Sequence, residues 1–319
     1  MTSGSRQRMR QGPVERLMTS GTFGRWLLFT LLFVIAGTAA AGDEAKSLMF
    51  RGEARSYVVR APASPASSAA KLPLVIVLHG GGGNAANAEM MTGFTAKAQK
   101  EGFIVVYPNG SGALGDKLLT WNAGHCCGYA MKYDVDDVGF IDALIDVLVR
   151  DYHVDAHRVY ITGMSNGGMM THRLGRELSG RIAAIAPVVA TVFGDEARPD
   201  HPVPTLLING MLDKNVPYRG GTPGGPGSRS WDGTPTQPAL KQWDFWATAN
   251  GCKPTPHKDE NAKWILWSND CAAPVELYLV KDNGHAWPGG QPGYRRGDKP
   301  STAMNATDVI WEFFRTKSK

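Results

Sequence analysis

Apolar residues along the chain gather into short blocks that alternate with amphipathic stretches. Leu72-Pro73-Leu74-Val75-Ile76-Val77-Leu78 and Phe103-Ile104-Val105-Val106-Tyr107 are continuous apolar runs, as expected of strands covered on both faces. Arg158 to Thr162, Ile182 to Ala190, Thr205 to Ile208 and Val275 to Val280 read the same way. Between these blocks the apolar period lengthens. Helices are predicted over 86–100, 137–152, from Ser165 to Leu178, and over 237–250 and 303–314. Val138, Ile141, Leu144, Ile145 and Leu148 share one face of the second. Residues 42–54 are polar and predict an arm or edge hairpin, followed by a short edge strand at Tyr57–Val59. The stretches 61–70, 109–128 and 220–235 read as irregular. Strands that alternate with helices call for a mostly parallel central sheet with helices on both faces, an α/β class. Without repeats or a second composition regime, residues 42–319 read as one domain.

The segment before that domain has a different character. Arg6, Arg8, Arg10, Arg16 and Arg25 precede the apolar run Trp26–Gly37 and then Thr38-Ala39-Ala40-Ala41. A basic start, a short apolar core and small residues describe a secretory signal peptide over 1–41, cleaved after Ala41, with Met1 or Met18 as the start. The apolar run is shorter than the ~20 residues that span a bilayer, and no cysteine near the cleavage point offers a lipid attachment. The expectation is a secreted protein, extracellular or periplasmic, with no membrane attachment after cleavage.

Cleavage also changes the charge balance. The full chain has 34 basic and 29 acidic residues. Removing five arginines and Glu15 leaves 29 against 28, so no basic excess remains to attract nucleic acid. In an exported chain Cys126, Cys127, Cys252 and Cys271 suggest disulfides. A Cys252–Cys271 bridge closing a short loop is expected, while the state of the adjacent Cys126 and Cys127 stays open. Neither C-x-x-C nor H-E-x-x-H spacing occurs, so no metal is expected. Gly110-Ser111-Gly112-Ala113-Leu114-Gly115 has the glycine spacing of a dinucleotide loop, but no helical pattern follows it. No cofactor is expected.

Chemistry concentrates at the ends of the strands. Gly163-Met164-Ser165-Asn166-Gly167 stands where a β-branched run meets a helical pattern. Glycines on either side of so sharp a turn omit Cβ atoms that would collide, and the serine hydroxyl faces a cleft. Asp213 follows the Thr205–Ile208 run, and His285 follows Val275–Val280. The order Ser, Asp, His at strand carboxyl ends is that of the α/β-hydrolase fold. A serine hydroxyl is a weak nucleophile until an imidazole takes its proton, and the imidazole needs a carboxylate to orient it. Ser165 is expected to attack, His285 to act as base and then acid, and Asp213 to hold His285. After the Leu72–Leu78 run, Gly80 to Gly83 expose backbone, so the N–H groups of Asn166 and Gly81 are the expected oxyanion donors. His79, His125 and His172 are expected to be structural.

His79-Gly80-Gly81-Gly82-Gly83-Asn84, Trp121-Asn122-Ala123-Gly124 with Cys126-Cys127-Gly128, Val135-Asp136-Asp137-Val138-Gly139-Phe140, Gly163 to Met170 and Gly284-His285-Ala286-Trp287-Pro288-Gly289-Gly290 resemble polyhydroxybutyrate depolymerase family esterases. That group is related to secreted feruloyl and acetylxylan esterases. The resemblance runs from Ser56 to Phe314 and implies a serine carboxylic-ester hydrolase acting through an acyl-enzyme. Relatives that attack solid polyester carry a linker and a binding domain, whereas this sequence stops at its last helix. Soluble oligoesters, or feruloyl groups on plant polysaccharide, are therefore the expected substrates. Gly80 and an aromatic wall of Trp121, Trp231 and Trp287 are candidate substrate contacts. A serine peptidase or other acyl hydrolase has the same triad, and a non-catalytic binding protein can share the fold.

Overall fold

Leu74, Ile76 and Leu78 turn to one side of their strand and Val75 and Val77 to the other, and all five are fully buried. Such a strand must lie between two layers. The computed structural model describes residues 45–62, 70–225, 228–253 and 255–319; the expected signal segment 1–41 lies outside them.

The elements in order are β1 (Ala45–Phe50), β2 (Glu53–Arg60), β3 (Leu72–Leu78), α1 (Ala85–Thr92), α2 (Phe94–Glu101), β4 (Ile104–Pro108) and α3 (Gly128–Lys132). Then come α4 (Asp137–Asp151), β5 (Val154–Met164), α5 (Asn166–Glu177), β6 (Ala184–Val188) and β7 (Thr205–Gly210). The last are α6 (Ala239–Ala249), β8 (His257–Glu260), β9 (Trp264–Ser268), β10 (Val275–Val280) and α7 (Ala306–Phe314).

The strands form one sheet in the order β1-β2-β4-β3-β5-β6-β7-β10-β9-β8. From β4 to β10 the neighbours pair in parallel, and antiparallel hairpins close both edges. One face is covered by α4, α5 and α6, with Phe140, Leu144, Met170, Leu174 and Trp246 in its core. The other is covered by α1, α2 and α7, with Phe94, Ile310, Trp311 and Phe314. This is the α/β-hydrolase arrangement that the alternation of elements predicts.

Four details differ from the sequence reading. The strand at Tyr57–Val59, expected at the edge, is β2 and lies between β1 and β4, because residues 45–50 of the expected arm add a strand outside it. The single helix expected over 86–100 is two helices. Gly93 (φ 68°) closes α1 through its N–H to Glu89 O at 3.1 Å and then begins α2. The strand expected over 182–190 is shorter, because the chain leaves the sheet after Val188. The β8–β9 hairpin was not anticipated: every β8 residue is exposed and polar, so no apolar alternation marks it. Cys252 pairs with Cys271 as expected, joining the end of α6 to the approach to β10, and Cys126 pairs with Cys127.

Candidate active site

β5 ends at Met164 and α5 begins at Asn166, which leaves Ser165 alone in the turn at φ 56° and ψ −122°. A side chain held at positive φ is strained and persists only where the surroundings fix it. Ser165 N–H donates to Val188 O at 3.0 Å, and Ser165 O accepts from Met169 N–H at 2.8 Å. The helix returns so close to β3 that a Cβ on Gly167 would meet the carbonyl oxygens of Leu78 and His79. Glycine there is a condition of the turn.

The other two strand ends bring their residues to this serine. His285 Nε2 is 2.9 Å from Ser165 Oγ, and His285 Nδ1 is 2.8 Å from Asp213 Oδ2. The second Asp213 oxygen accepts the N–H groups of Asn215 and Val216 at 2.8 and 2.9 Å. Two backbone donors thus occupy Oδ1 of the buried carboxylate and leave Oδ2 for the imidazole. A Cβ on Gly210, at the end of β7, would collide with the carbonyls of Asn283 and Gly284, so the acid and base loops touch at a position without a side chain. His285 N–H donates to Asp298 Oδ2 at 2.7 Å. Asp298 lies 13 residues beyond the base and carried no spacing signature to mark it.

Gly80 and Gly81 also lie against the elbow. A methyl group on Gly80 would stand 3.7 Å from Ser165 Cβ, and one on Gly81 3.5 Å from Asn166 Cβ. Among the described residues, the N–H groups of Gly81 and Asn166 have no protein acceptor. Two N–H groups beside a nucleophile, with their bonding capacity unused, can hold a negatively charged oxygen.

His79 fixes the loop that carries Gly81. Gly110 N–H donates to His79 Nε2 at 3.0 Å, so the ring proton is on Nδ1, which donates to Gly80 O at 2.8 Å. Complete burial pushes the pKa of this imidazole down to about 4, keeping it neutral. His172 is held equally deep, accepting from Trp246 Nε1 at 2.9 Å, and burial lowers its pKa to about 3. Both have structural positions.

Trp121 and Trp287 are not available as a substrate wall. Both are 0% exposed. Trp121 Nε1 donates to His79 O at 3.1 Å and Trp287 Nε1 to Thr307 Oγ1 at 3.0 Å, so their rings are enclosed by packing and their polar edges are satisfied. Trp231 is half-buried and stands edge-on to Phe193, with ring centroids 5.9 Å apart. A serine, an imidazole and a carboxylate in one chain of contacts, with free N–H groups alongside, can carry out acyl transfer.

Several known esterases are similar to this chain. Feruloyl esterase B of Piromyces equi is 30% identical over 231 residues, which are 70% of this chain and 41% of the relative. The poly(3-hydroxybutyrate) depolymerase of Ralstonia pickettii is 30% identical over 159 residues, 46% of this chain and 30% of the relative. The chain therefore spans less than half the length of these two relatives. Among solved structures, an acetyl xylan esterase from Aspergillus awamori superposes with a TM-score of 0.59 over 85% of this chain and 99% of its own, at 14% identity; the likeness is one of fold. Residues 55–201, which include the Ser165 elbow, match the model of the esterase PHB depolymerase family.

Proposed function

We propose that the protein is a secreted serine carboxylic-ester hydrolase acting on polyhydroxybutyrate-type oligoesters or on feruloyl and related aryl esters. The observation that carries this reading is the unbroken contact from Ser165 Oγ through His285 to Asp213, at 2.9 and 2.8 Å. His285 Nε2 takes the Ser165 proton as Oγ attacks the ester carbonyl. Asp213 holds the imidazole by its Nδ1–H and stabilises the imidazolium. The carbonyl oxygen becomes an oxyanion that accepts from the N–H groups of Gly81 and Asn166. As the intermediate collapses, the carbon–oxygen bond to the alcohol breaks and His285 gives its proton to the departing oxygen. An acyl group remains on Ser165. Water then attacks that carbonyl, its proton passing to His285, and collapse releases the acid and restores the Ser165 hydroxyl.

The match of residues 55–201 to the family model and the printed activities of the relatives, feruloyl esterase and poly(3-hydroxybutyrate) depolymerase, support an ester as substrate. Two disulfides and the basic, apolar and small-residue segments at the amino terminus support export.

The test is hydrolysis of p-nitrophenyl butyrate, methyl ferulate and a soluble 3-hydroxybutyrate oligomer, side by side, with Ser165→Ala as control. Turnover by wild type alone upholds the assignment, and the preferred ester names the branch. Equal rates for both proteins, or none for either, would remove it.

A further inference from the structure

Outside the catalytic contacts, His125 joins three loops at one point. Its Nε2 lies 2.8 Å from Asp195 Oδ2, in the β6–β7 connection, and its Nδ1 lies 2.7 Å from Asp232 Oδ2, in the β7–α6 connection. His125 itself belongs to the β4–α3 connection. An ionised carboxylate only accepts, so both ring nitrogens must carry protons and the ring is a cation. The imidazole packs on Phe193 with centroids 4.9 Å apart, and Phe193 meets Trp231 edge-on. Asp232 N–H donates to His125 O at 3.2 Å, and Trp231 pairs through its backbone with Cys126. Cys126 Sγ is 3.7 Å from Asn166 Nδ2. The brace is therefore one residue away from a direct contact with Asn166.

We propose that His125 is a positioning residue for the substrate: as an imidazolium it ties Asp195 to Asp232 and clamps the Phe193–Trp231 pair as one wall of the cleft beside Asn166, and loss of its proton releases that wall. The inference rests on the esterase reading of Ser165. The charged groups around the brace are few. Asp195 and Glu196 come from the β6–β7 connection, Glu196 accepting the N–H groups of Phe193 and Gly194. Asp232 comes from the β7–α6 connection. From α5, Arg176 feels the charges of Glu196 and Asp195, together with those of its helix neighbours Glu177 and Arg173.

The direction of the pH response follows from the same contacts. Burial lowers the affinity of this imidazole for its proton, but the two carboxylates outweigh burial and the pKa stands above the ordinary histidine value. The clamp is therefore complete below about 6.5, where the unfolded residue titrates, and is lost as pH rises through the raised folded value. Substrate binding, read as KM, weakens on the alkaline side while the Ser165–His285–Asp213 geometry is untouched. Asp195→Asn discriminates further. An amide can donate to Nε2 of a neutral ring while Nδ1–H still donates to Asp232, so this variant keeps both contacts after proton loss.

The test combines a proton titration and a kinetic titration of the full chain, from about pH 6 to about pH 9. The His125 ring C–H signals and the Trp231 indole N–H signal, assigned with Trp231→Phe, are followed by NMR. KM and kcat for p-nitrophenyl butyrate are measured alongside. Trp231 is expected to follow His125 with one midpoint, and wild-type KM to rise on the order of threefold to tenfold across it at nearly constant kcat. His125→Gln should show the raised KM at every pH, and Asp195→Asn the low KM throughout. A Trp231 signal that ignores His125, or a KM that stays flat while His125 titrates, overturns the proposal. If Trp231 follows His125 but no ester is turned over at any pH, the clamp stands and the esterase reading falls.

Discussion

The Asn166 side chain grips both ends of one peptide residue. Its Oδ1 accepts from Trp121 N–H at 2.8 Å, and its Nδ2 donates to Trp121 O at 2.9 Å. The residue whose main-chain N–H is a proposed oxyanion donor is thus fastened by its side chain to the loop that packs against His79. Asn166→Ala keeps the N–H but leaves Trp121 N–H unpaired in a buried place, at about 1–3 kcal/mol, while Trp121 O keeps Cys127 N–H at 3.1 Å. The expected outcome is a clearly lower Tm, and a kcat reduced by roughly tenfold to hundredfold as the donor drifts, with KM nearly unchanged. Thermal denaturation and steady-state kinetics on the same preparation check it; wild-type values of both would show that the loop holds without this bidentate contact.

Asp298 makes a second support, on the base side. Its carboxylate receives His285 N–H and lies where a Gly284 side chain would otherwise be. Asp298→Ala frees the backbone of the base loop, and kcat should fall on the order of tenfold with little change in KM, because positioning is lost and no substrate contact is removed. Asp298→Asn should recover most of the rate, since an amide oxygen also accepts. Equal loss in both variants would mean that Asp298 acts through charge and not through this hydrogen bond.

The sequence carried the frame of the site more fully than its supports. Strand identity was legible because β3 and β4 are buried on both faces and read as unbroken apolar runs. The positions of Ser165, Asp213 and His285 at strand ends follow from that alone. Gly93 was missed as a helix break because periodicity continues across it. The β8–β9 hairpin was missed because its outer strand has no buried face. Trp121 and Trp287 looked like substrate contacts because a sequence shows that a ring is near a motif, not which side of the backbone it takes. Asp298 and the Asn166 clamp depend on long-range contacts that no local spacing encodes.

The two enclosed histidines set an acid limit on stability. His79 and His172 have folded pKa values of about 4 and about 3, below the unfolded value of about 6.5. As pH falls below that unfolded value the unfolded chain takes up protons that the folded chain refuses. Their stabilising contribution, complete above about 6.5, is therefore lost progressively as pH drops toward the folded values. Each histidine adds up to about 1.4 kcal/mol per pH unit to the slope near pH 5. Urea unfolding of wild type and His172→Gln at several pH values should give a smaller slope for the variant. Parallel slopes would mean that His172 takes a proton without unfolding.

The Val135–Phe140 motif has its explanation in a buried ion pair rather than in the catalytic contacts. Arg55 on β2 reaches Asp137 at 2.6 Å, with the arginine side chain 6% and the aspartate side chain 0% exposed. The second Asp137 oxygen accepts Asn122 N–H at 2.8 Å, and the guanidinium lies 4.0 Å over the Phe140 ring. The pair fastens β2 to α4 and to the loop beneath the elbow. Asp137→Asn leaves a buried cation without its counter-charge and is expected to cost about 3–5 kcal/mol, whereas Arg55→Met with Asp137→Leu removes both charges and should cost less. Urea denaturation of wild type, Arg55→Met, Asp137→Leu and the double variant forms the cycle. A double variant no more stable than either single one would show that the pair is net stabilising, and that attraction and packing together exceed the penalty of burying two charges.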